Sequence, residues 1–274
     1  MPVLFYFMSV SILSKQEFMK IAIIQPDTIW ESKKENFSRL DKQISSLESD
    51  TDLIILPEMF NTGFSMNPSR LAESPHSETF NWMSGIAASR QAGIGGSYIV
   101  RIRNNFYNRW VFVAPDSSTR IYDKRHLFSP TGENMHFTAG KKPLVFKFHQ
   151  LRISATICYD LRFPVWSRNT NKYDLLINSA NWPDARRDVW ITLLKARAIE
   201  NQCYVAGANR VGTDGNGYSY SGESIIIDPK GMILASGSRK EECVISAVLN
   251  LSELRDFRKK FPVLRDADKF RIDP

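Results

Sequence analysis

The sequence predicts a layered α/β fold built as one domain, and three observations support that prediction. From Lys20 onward, short apolar runs alternate with stretches whose apolar residues recur at helical spacing. Buried runs such as DLIILPE (52–58) lack polar alternation, which indicates strands covered on both faces. No low-complexity linker and no short-period repeat divides the 274 residues. A chain of this length buries a sizeable core without disulfides.

The first half of the chain predicts five strands and two helices. The predicted strands are 21–26, 52–58, 93–101, 108–115 and 119–124, and the predicted helices are 33–49 and 77–92. The first helix is predicted because four apolar residues fall on one face, namely Phe37, Leu40, Ile44 and Leu47. Turn residues separate the last three strands, which favours successive antiparallel neighbours.

The second half repeats this pattern after a loop at 125–143. The predicted strands are 144–148, 152–160, 173–180, 203–209, 224–228, 232–236 and 243–249. Helices are predicted at 185–201 and 251–260, with a short helix or turn at 163–170. Asp228-Pro229-Lys230-Gly231 is a good hairpin turn. The helix at 185–201 is the clearest helix of the chain.

The charge balance favours a mildly basic surface over a nucleic-acid-binding one. Lys and Arg exceed Asp and Glu by 36 to 29, so the net charge is +7. These basic residues come in ones and twos, and the longest run is Arg258-Lys259-Lys260. With 43% hydrophobic and 24% charged residues, the composition excludes a disordered, collagen-like or multi-span membrane protein.

The N-terminus requires a separate interpretation. Residues 3–13 are apolar except for Ser9 and Ser11, which is too short for a membrane helix of about 20 residues. A basic start and a small-residue cleavage site are both missing. We interpret residues 1–18 as an extension outside the core and residues 19–274 as a single domain. With three cysteines and no targeting segment, the sequence predicts a cytoplasmic protein without a membrane partner.

One cysteine stands where a reactive thiol would be exposed. Cys158 ends an apolar strand and is followed directly by a polar turn, and α/β folds present reactive side chains at such strand ends. Cys203 and Cys243 open apolar strands instead, which is typical of buried cysteines. Cys158 is therefore the candidate nucleophile.

A nucleophilic thiol needs a base and a charged partner. None of the four histidines has a distinctive context, and His126 with His136 lacks a third metal ligand, so no metal is expected. Glu58 ends a buried strand, where a carboxylate is costly unless it is paired or used. Lys124 ends another strand. We expect these strand ends to meet at one sheet edge.

Three segments together resemble a known family. LPE (56–58), YDKRHLF (122–128) and CYDLRFP (158–164) are similar, in this order and spacing, to the catalytic motifs of the nitrilase superfamily, the carbon–nitrogen hydrolases. The resemblance runs from about Lys20 to Phe270. Segments such as ANWP (180–183) and ARAIENQCYVAGANRVG (196–212) resemble the bacterial omega-amidases within it. The N-terminal extension departs from that subgroup.

The resemblance implies a four-layer α-β-β-α sandwich of the nitrilase type and a Glu–Lys–Cys triad. In that reading Cys158 is the nucleophile and Glu58 the general base. Lys124 stabilises the oxyanion with the backbone N–H of Tyr159. Glu133 orients Lys124, the alternative being a solvated loop carboxylate. No cofactor is implied.

The resemblance also implies a small-molecule substrate, the amide of a 2-oxo dicarboxylic acid such as 2-oxoglutaramate or 2-oxosuccinamate. Phe60, Phe64, Asn181 and Trp182 flank positions that line the site in relatives. Three arginines are candidates for the substrate carboxylate: Arg162, Arg186 and Arg187. Arg162 serves equally well in a structural ion pair. The resemblance also implies a homodimer or higher homo-oligomer. In relatives the region of helix 185–201 and the C-terminal segment pack across a dimer interface, so Trp190 and the tail 251–274 are candidate interface elements, although packing inside one subunit explains them nearly as well.

Other functions stay open at this point. A different amidase, a carbamoylase or a nitrilase would use the same catalytic residues, and only a substrate panel separates them. A scaffold that uses the fold without catalysis is a remote alternative, because it has no need of all three triad residues. A nucleic-acid binder is more remote still, and salt-dependent retention on DNA would reveal it.

Overall fold

One six-stranded sheet combines the first half of the chain with the last strand. The computed structural model describes residues 17–170 and 172–272. The strands of this sheet are β1 (Phe18–Gln25), β2 (Leu53–Ile55), β3 (Gly93–Ile102), β4 (Asn105–Val113), β5 (Thr119–Asp123) and β14 (Cys243–Asn250). Their spatial order is β14-β1-β2-β3-β4-β5. β1, β2 and β3 run parallel, so their carboxyl ends share one edge.

A second six-stranded sheet comes from the second half of the chain. Its strands are β6 (Leu144–Phe148), β7 (Leu151–Ile157), β8 (Leu175–Ser179), β9 (Tyr204–Ala208), β12 (Ile225–Ile227) and β13 (Ile233–Ser236). Their order is β13-β12-β9-β8-β7-β6, with β7, β8 and β9 parallel. A separate hairpin pairs β10 (Val211–Thr213) with β11 (Ser219–Ser221).

Helices cover the outer faces of both sheets. On the first sheet these are α1 (Lys33–Ser45) and α3 (Glu78–Arg90), and on the second sheet α5 (Arg187–Asn201). The other helices are α2 (Pro68–Leu71), α4 (Glu133–His136) and α6 (Leu251–Lys260), and α6 packs Leu251 and Leu254 on the core between the sheets. Short 3₁₀ turns lie at Ser129–Thr131, Cys158–Arg162, Asp184–Arg186 and Val263–Arg265. No helix among the described residues is long and apolar enough to cross a membrane.

Side chains that alternate along the strands divide the interior into layers. Ile21 and Ile23 of β1 point to a core that also receives Ile153 from the other sheet. Their neighbours Ala22 and Ile24 point the other way and pack on α1 and α3. Leu176 of the second sheet packs on α5. The result is the predicted α-β-β-α order, so the fold class is confirmed.

Several local predictions needed correction. The loop predicted at 125–143 contains the single turn α4, whereas the 163–170 segment is a series of turns, which was one of its two predicted forms. The hairpin of β10 and β11 was not predicted. β1 begins at Phe18, which pairs with Asn250 and lies one residue before the predicted domain start. Residues 1–16 of the predicted extension lie outside the described residues.

For Trp190 the structure shows core packing within one subunit, which was the alternative to an interface position. Trp190 is 1% exposed, and its indole N–H donates to the carbonyl of Glu223, so it is a core residue of this subunit. Leu194 is buried beside it, whereas Val189 and Leu193 are only half-buried.

Candidate active site

Three strand ends meet at the edge between the two sheets. Glu58 follows β2, Lys124 follows β5 and Cys158 follows β7. The Lys124 Nζ lies 2.8 Å from Glu58 Oε1. The Cys158 Sγ lies 3.7 Å from the Asn181 carbonyl oxygen, and the backbone N–H of Asn181 donates to Glu58 Oε2 at 2.9 Å. The structure thus brings together the base, cation and thiol named from the sequence.

Lys124 is a fully buried cation held between two carboxylates. Its Nζ lies 2.9 Å from Glu133 Oε2 in addition to its contact with Glu58. Burial opposes the ammonium charge, but the charges of Glu133 and Glu58 outweigh it and raise the pKa of Lys124. Lys124 therefore stays protonated and fixed in place, as an oxyanion-stabilising cation must.

Glu133 is buried, so the alternative of a solvated loop carboxylate is wrong. It opens α4, and its carboxylate accepts the backbone N–H of Phe128 as well as the Lys124 ammonium. Burial, and after it the nearby charge of Glu58, raises the pKa of Glu133, although Lys124 opposes this. Two buried carboxylates thus share one buried ammonium.

Glu58 has a fixed partner on each side of its carboxylate. Asn108 of β4 donates its amide to Glu58 Oε1 at 2.7 Å, and the Asn181 backbone N–H donates to Oε2 at 2.9 Å. The Asn181 side chain donates to the Glu58 carbonyl at 2.6 Å. Sequence reasoning missed Asn108, because an asparagine inside an ordinary strand carries no local signal.

Cys158 sits at a strained turn. Its φ is +41°, in the left-handed region that non-glycine residues rarely adopt, and it begins the 3₁₀ turn Cys158–Arg162. Burial raises the pKa of its thiol well above the ordinary value, with the Glu58 charge adding to this and Lys124 opposing it. The resting group is therefore a thiol, which needs a base to become a nucleophile.

A buried carboxylate holds the turn that carries Cys158. Asp160 accepts the Tyr122 hydroxyl at 2.6 Å, the His126 backbone N–H at 2.9 Å and the Ile157 N–H at 3.0 Å. The His126 ring Nδ1 also lies 2.8 Å from Asp160. The strand ends at Ile157 because Asp160 takes its N–H. These residues lie inside the quoted motifs, yet their role became visible only from the contacts.

A cavity of about 630 Å³ opens in front of the thiol. Its walls include Cys158 and the predicted residues Phe64, Tyr159, Arg162, Asn181 and Trp182, together with Arg186. The ring of Phe64 faces the Lys124 ammonium, with 5.0 Å between Nζ and the ring centre. The cavity therefore connects solvent with the buried cluster.

Two residues proposed for this wall lie elsewhere. Phe60 is 1% exposed and packs in the outer core against Trp82 and Tyr98, because the turn after Glu58 directs it under the sheet. Arg187 is bound by Glu223, with 2.5 Å between Nε and Oε1, and does not line the cavity.

Metal binding finds no support in the described part of the chain. Residues 17–170 and 172–272 contain no group of three or more His, Cys, Asp or Glu side chains arranged to hold a metal ion. His126 is already engaged by Asp160, and its ring stacks on Phe163 at 3.8 Å.

Comparison with known proteins places this geometry in a family. The family model for carbon–nitrogen hydrolases matches residues 20–259. The chain belongs to the carbon–nitrogen hydrolases. It is 43% identical over 256 residues to omega-amidase YafV of Escherichia coli K12, covering 93% of this chain and 98% of that protein. It is 35% identical to the 2-oxoglutaramate amidase of Bacillus subtilis, covering 91% of this chain and 97% of that protein.

A solved structure of the family has the same fold. The crystal structure of XC1258 from Xanthomonas campestris, described as a CN-hydrolase superfamily protein with an arsenic adduct in the active site, superposes with a TM-score of 0.91. The two chains are 37% identical, and the match covers 93% of this chain and 99% of that one. The carbon–nitrogen hydrolase fold therefore extends over nearly the whole molecule.

Proposed function

We propose that this carbon–nitrogen hydrolase is an omega-amidase, which hydrolyses the terminal amide of 2-oxo dicarboxylic acid monoamides such as 2-oxoglutaramate and 2-oxosuccinamate. The observation that carries the proposal is the buried Glu58–Lys124 ion pair, which Asn181 links to the Cys158 thiol in the wall of an open cavity. The choice of substrate is supported by the near full-length similarity to proteins named omega-amidase and 2-oxoglutaramate amidase.

The first half of the proposed reaction forms a thioester. The Cys158 sulfur attacks the amide carbon while its proton moves to Glu58. The carbonyl oxygen becomes an oxyanion, which the Lys124 ammonium and the Tyr159 backbone N–H stabilise. Glu58 then gives its proton to the amide nitrogen, the carbon–nitrogen bond breaks and ammonia leaves. The acyl group remains on sulfur.

The second half returns the enzyme to its starting state. Glu58, again a carboxylate, takes a proton from water as that water attacks the thioester carbon. The same donors stabilise the second oxyanion. The carbon–sulfur bond then breaks, the acid leaves, and the sulfur regains a proton from Glu58. Glu133 and Asn108 act as positioning residues, because they hold Lys124 and Glu58 without facing the thiol.

The substrate region is proposed to involve Phe64, Arg162, Asn181 and Trp182. Arg162 has no acidic partner among the described residues, and its guanidinium lies 5.1 Å from the centre of the Trp182 ring. The alternative of a structural ion pair for Arg162 therefore has no support in the contacts. The two aromatic rings supply apolar walls for the carbon chain between the amide and the acid end.

The remaining expectations belong to the same proposal. We propose that residues 19–274 are the functional domain with residues 1–18 as an extension. We further propose that the protein acts in the cytoplasm as a homodimer or higher homo-oligomer. The half-buried Val189 and Leu193 on α5 support an interface there, together with the tail 251–274.

The decisive experiment is ammonia release from 2-oxoglutaramate by the wild-type protein beside the Cys158→Ala variant. We expect release by the wild type and loss of turnover in the variant, with glutamine and a simple nitrile slow. Thiol labelling of Cys158 without ammonia release from either 2-oxo amide would reject this substrate class. A panel of carbamoyl compounds, aliphatic amides and nitriles would then identify the reaction.

A further inference from the structure

Two arginines line the active-site cavity, and one of them, Arg186, lies outside the three family motifs. Four charged side chains line it: Glu31, Arg162, Arg186 and Asp214. Glu31 is paired with Arg70 and accepts the Ser65 hydroxyl. Arg162 and Arg186 have no acidic partner among residues 17–170 and 172–272.

The second carboxylate of the cavity is occupied as well. Asp214 accepts the Tyr220 hydroxyl at 2.8 Å on one oxygen, and the backbone N–H groups of Asn216 and Tyr218 at 2.9 and 3.0 Å on the other. Its oxygens are therefore engaged within the hairpin of β10 and β11. The arginines are left as the groups in the cavity that require an anion.

Two aromatic residues of the cavity wall contact Arg186, one at its backbone carbonyl and one at its guanidinium. The Trp182 indole N–H donates to the Arg186 carbonyl at 2.8 Å, which fixes the backbone at the start of α5. The Arg186 guanidinium lies 5.4 Å from the centre of the Phe128 ring on the facing wall. A cation that is already positioned loses little freedom when it binds an anion.

Phe128, whose ring lies under the Arg186 guanidinium, is connected to the proposed catalytic cluster through Glu133. Glu133 accepts the Phe128 backbone N–H with the same carboxylate that holds the Lys124 ammonium. Glu133 thereby sets the position of the Phe128 backbone relative to Lys124. Phe128 thus links the position of the Arg186 guanidinium to that of Lys124, beside which the amide carbonyl would react.

We infer that Arg186 is a specificity-determining residue, which binds the carboxylate at the far end of the substrate and selects anionic amides over neutral ones. The inference rests on the proposed function and deepens it. A planar guanidinium donates two parallel hydrogen bonds to a carboxylate, and its face remains free to stack on Phe128. Arg162, whose guanidinium lies 5.1 Å from the centre of the Trp182 ring, supplies a second cation to the acid end.

The adjacent Arg187 provides a matched control. It is equally cationic and one residue away, but Glu223 binds its guanidinium and it does not line the cavity. Arg186→Met removes the charge and keeps an unbranched side chain, and Arg187→Met does the same outside the cavity. Arg186→Lys keeps the charge but loses the two-pronged geometry.

Binding is measured in the Cys158→Ala background, where the substrate survives, by calorimetric titration with 2-oxoglutaramate and with the neutral pentanamide. We expect Arg186→Met to weaken 2-oxoglutaramate binding by about 10- to 100-fold, the usual value of hydrogen bonds to a charged group. Arg186→Lys should fall between it and wild type, and Arg187→Met should bind as the parent does. The affinity for pentanamide should change far less than that for 2-oxoglutaramate.

Steady-state kinetics with an intact thiol give the second readout. For Arg186→Met we expect KM for 2-oxoglutaramate to rise, with kcat/KM falling relative to that for pentanamide. Equal losses for both amides would overturn the inference, and so would unchanged 2-oxoglutaramate affinity in Arg186→Met. A loss that appears only in an Arg162→Met variant would assign the carboxylate to Arg162 instead.

Failure of the inference is distinguishable from failure of the proposed function. If the wild type hydrolyses 2-oxoglutaramate and Arg186→Met does so with the same KM, the function stands and the role of Arg186 falls. If the wild type releases no ammonia from either 2-oxo amide, the proposed function itself fails, and the inference that depends on it fails too.

Discussion

Two buried carboxylate clusters in this molecule have opposite electrostatics. In one, Glu58 and Glu133 share the single ammonium of Lys124, and the pKa of Glu133 is raised, chiefly by burial. In the other, Glu73 meets the Lys33 ammonium at 2.8 Å. Burial opposes its charge, but Lys33 and the hydroxyl and backbone donors around it lower the pKa of Glu73.

The difference shows that a buried ion pair does not by itself indicate catalysis. Glu73 receives two hydrogen bonds from Thr79, at 2.6 and 2.9 Å, and one from Ser77 at 2.8 Å, and none of these residues lines the cavity. These hydrogen bonds and the Lys33 ammonium favour the ionised form of Glu73, so this cluster contributes to the stability of the fold. The Lys124 cluster instead has two carboxylates for one ammonium, beside a thiol. A carboxylate whose charge the ammonium does not balance can accept the thiol proton during the proposed reaction.

The strongest test of the comparison removes the cation from each cluster. Lys124→Met leaves two carboxylates facing each other without compensation, so we expect the free energy of unfolding to fall by about 3–5 kcal/mol. Amide hydrolysis should fall at least ~10³-fold, because the oxyanion loses its main donor. Lys33→Met should lower the unfolding free energy by about 1 kcal/mol, since its side chain is 22% exposed.

Urea denaturation and the ammonia assay measure both effects on both variants. We expect Lys33→Met to hydrolyse amides at the wild-type rate. A Lys33→Met protein that remains folded but loses hydrolysis would show that the two clusters are not functionally distinct. Full activity in Lys124→Met would remove Lys124 from the proposed mechanism.

A smaller effect is expected when a carboxylate of each cluster becomes an amide. Glu133→Gln keeps the side-chain shape but places a neutral group beside Lys124, so the ammonium is held less firmly where the oxyanion forms. We expect kcat to fall on the order of 10²-fold, with little change in KM, because the loss is felt mainly in the transition state. Glu73→Gln should leave both constants unchanged.

The same steady-state assay decides whether Glu133 acts on chemistry or on binding. A rise in KM without a fall in kcat would assign Glu133 to substrate binding through Phe128, whose N–H it accepts. Loss of kcat in Glu73→Gln would again contradict the separation of the two clusters.

The layered fold was predictable because burial has a regular sequence pattern. Strand residues such as Ile21 to Ile24 are apolar on both faces, and helix α1 carries its apolar residues at helical spacing. A strand with both faces covered needs one packed layer on each side. The short hairpin of β10 and β11 escaped prediction because it packs no such face, being exposed at its tip.

The residues that the structure brings together at the candidate site were predictable from the sequence to different degrees. Glu58, Lys124 and Cys158 were nominated because strand ends next to polar turns are where α/β folds place reactive groups. Asn108 and Asp160 were not, since their roles depend on contacts between residues far apart in the chain, such as the 50 residues between Asn108 and Glu58. Phe60 shows the reverse failure, because proximity in sequence to Glu58 did not place it in the cavity.

The smallest expected effect concerns how acid acts on the two clusters. The pKa of Glu73 in the folded protein is below its ordinary value of 4.5, so its ionised form is favoured by folding. That stabilisation is present above about pH 4.5 and is lost as the pH falls through the lower folded value. The pKa of Glu133 is raised above 4.5, so its contribution is present below that pH and is lost as the pH rises through the folded value.

Urea denaturation of Glu73→Gln, Glu133→Gln and wild type between pH 4 and pH 7 tests these opposite signs. The loss of unfolding free energy caused by Glu73→Gln should grow as the pH rises across this range, because the wild type gains a stabilising charge that glutamine lacks. The loss caused by Glu133→Gln should shrink over the same range, because the wild-type carboxyl becomes costly when it ionises beside Glu58. Parallel pH profiles for the two variants would show that both carboxylates are held for stability alone.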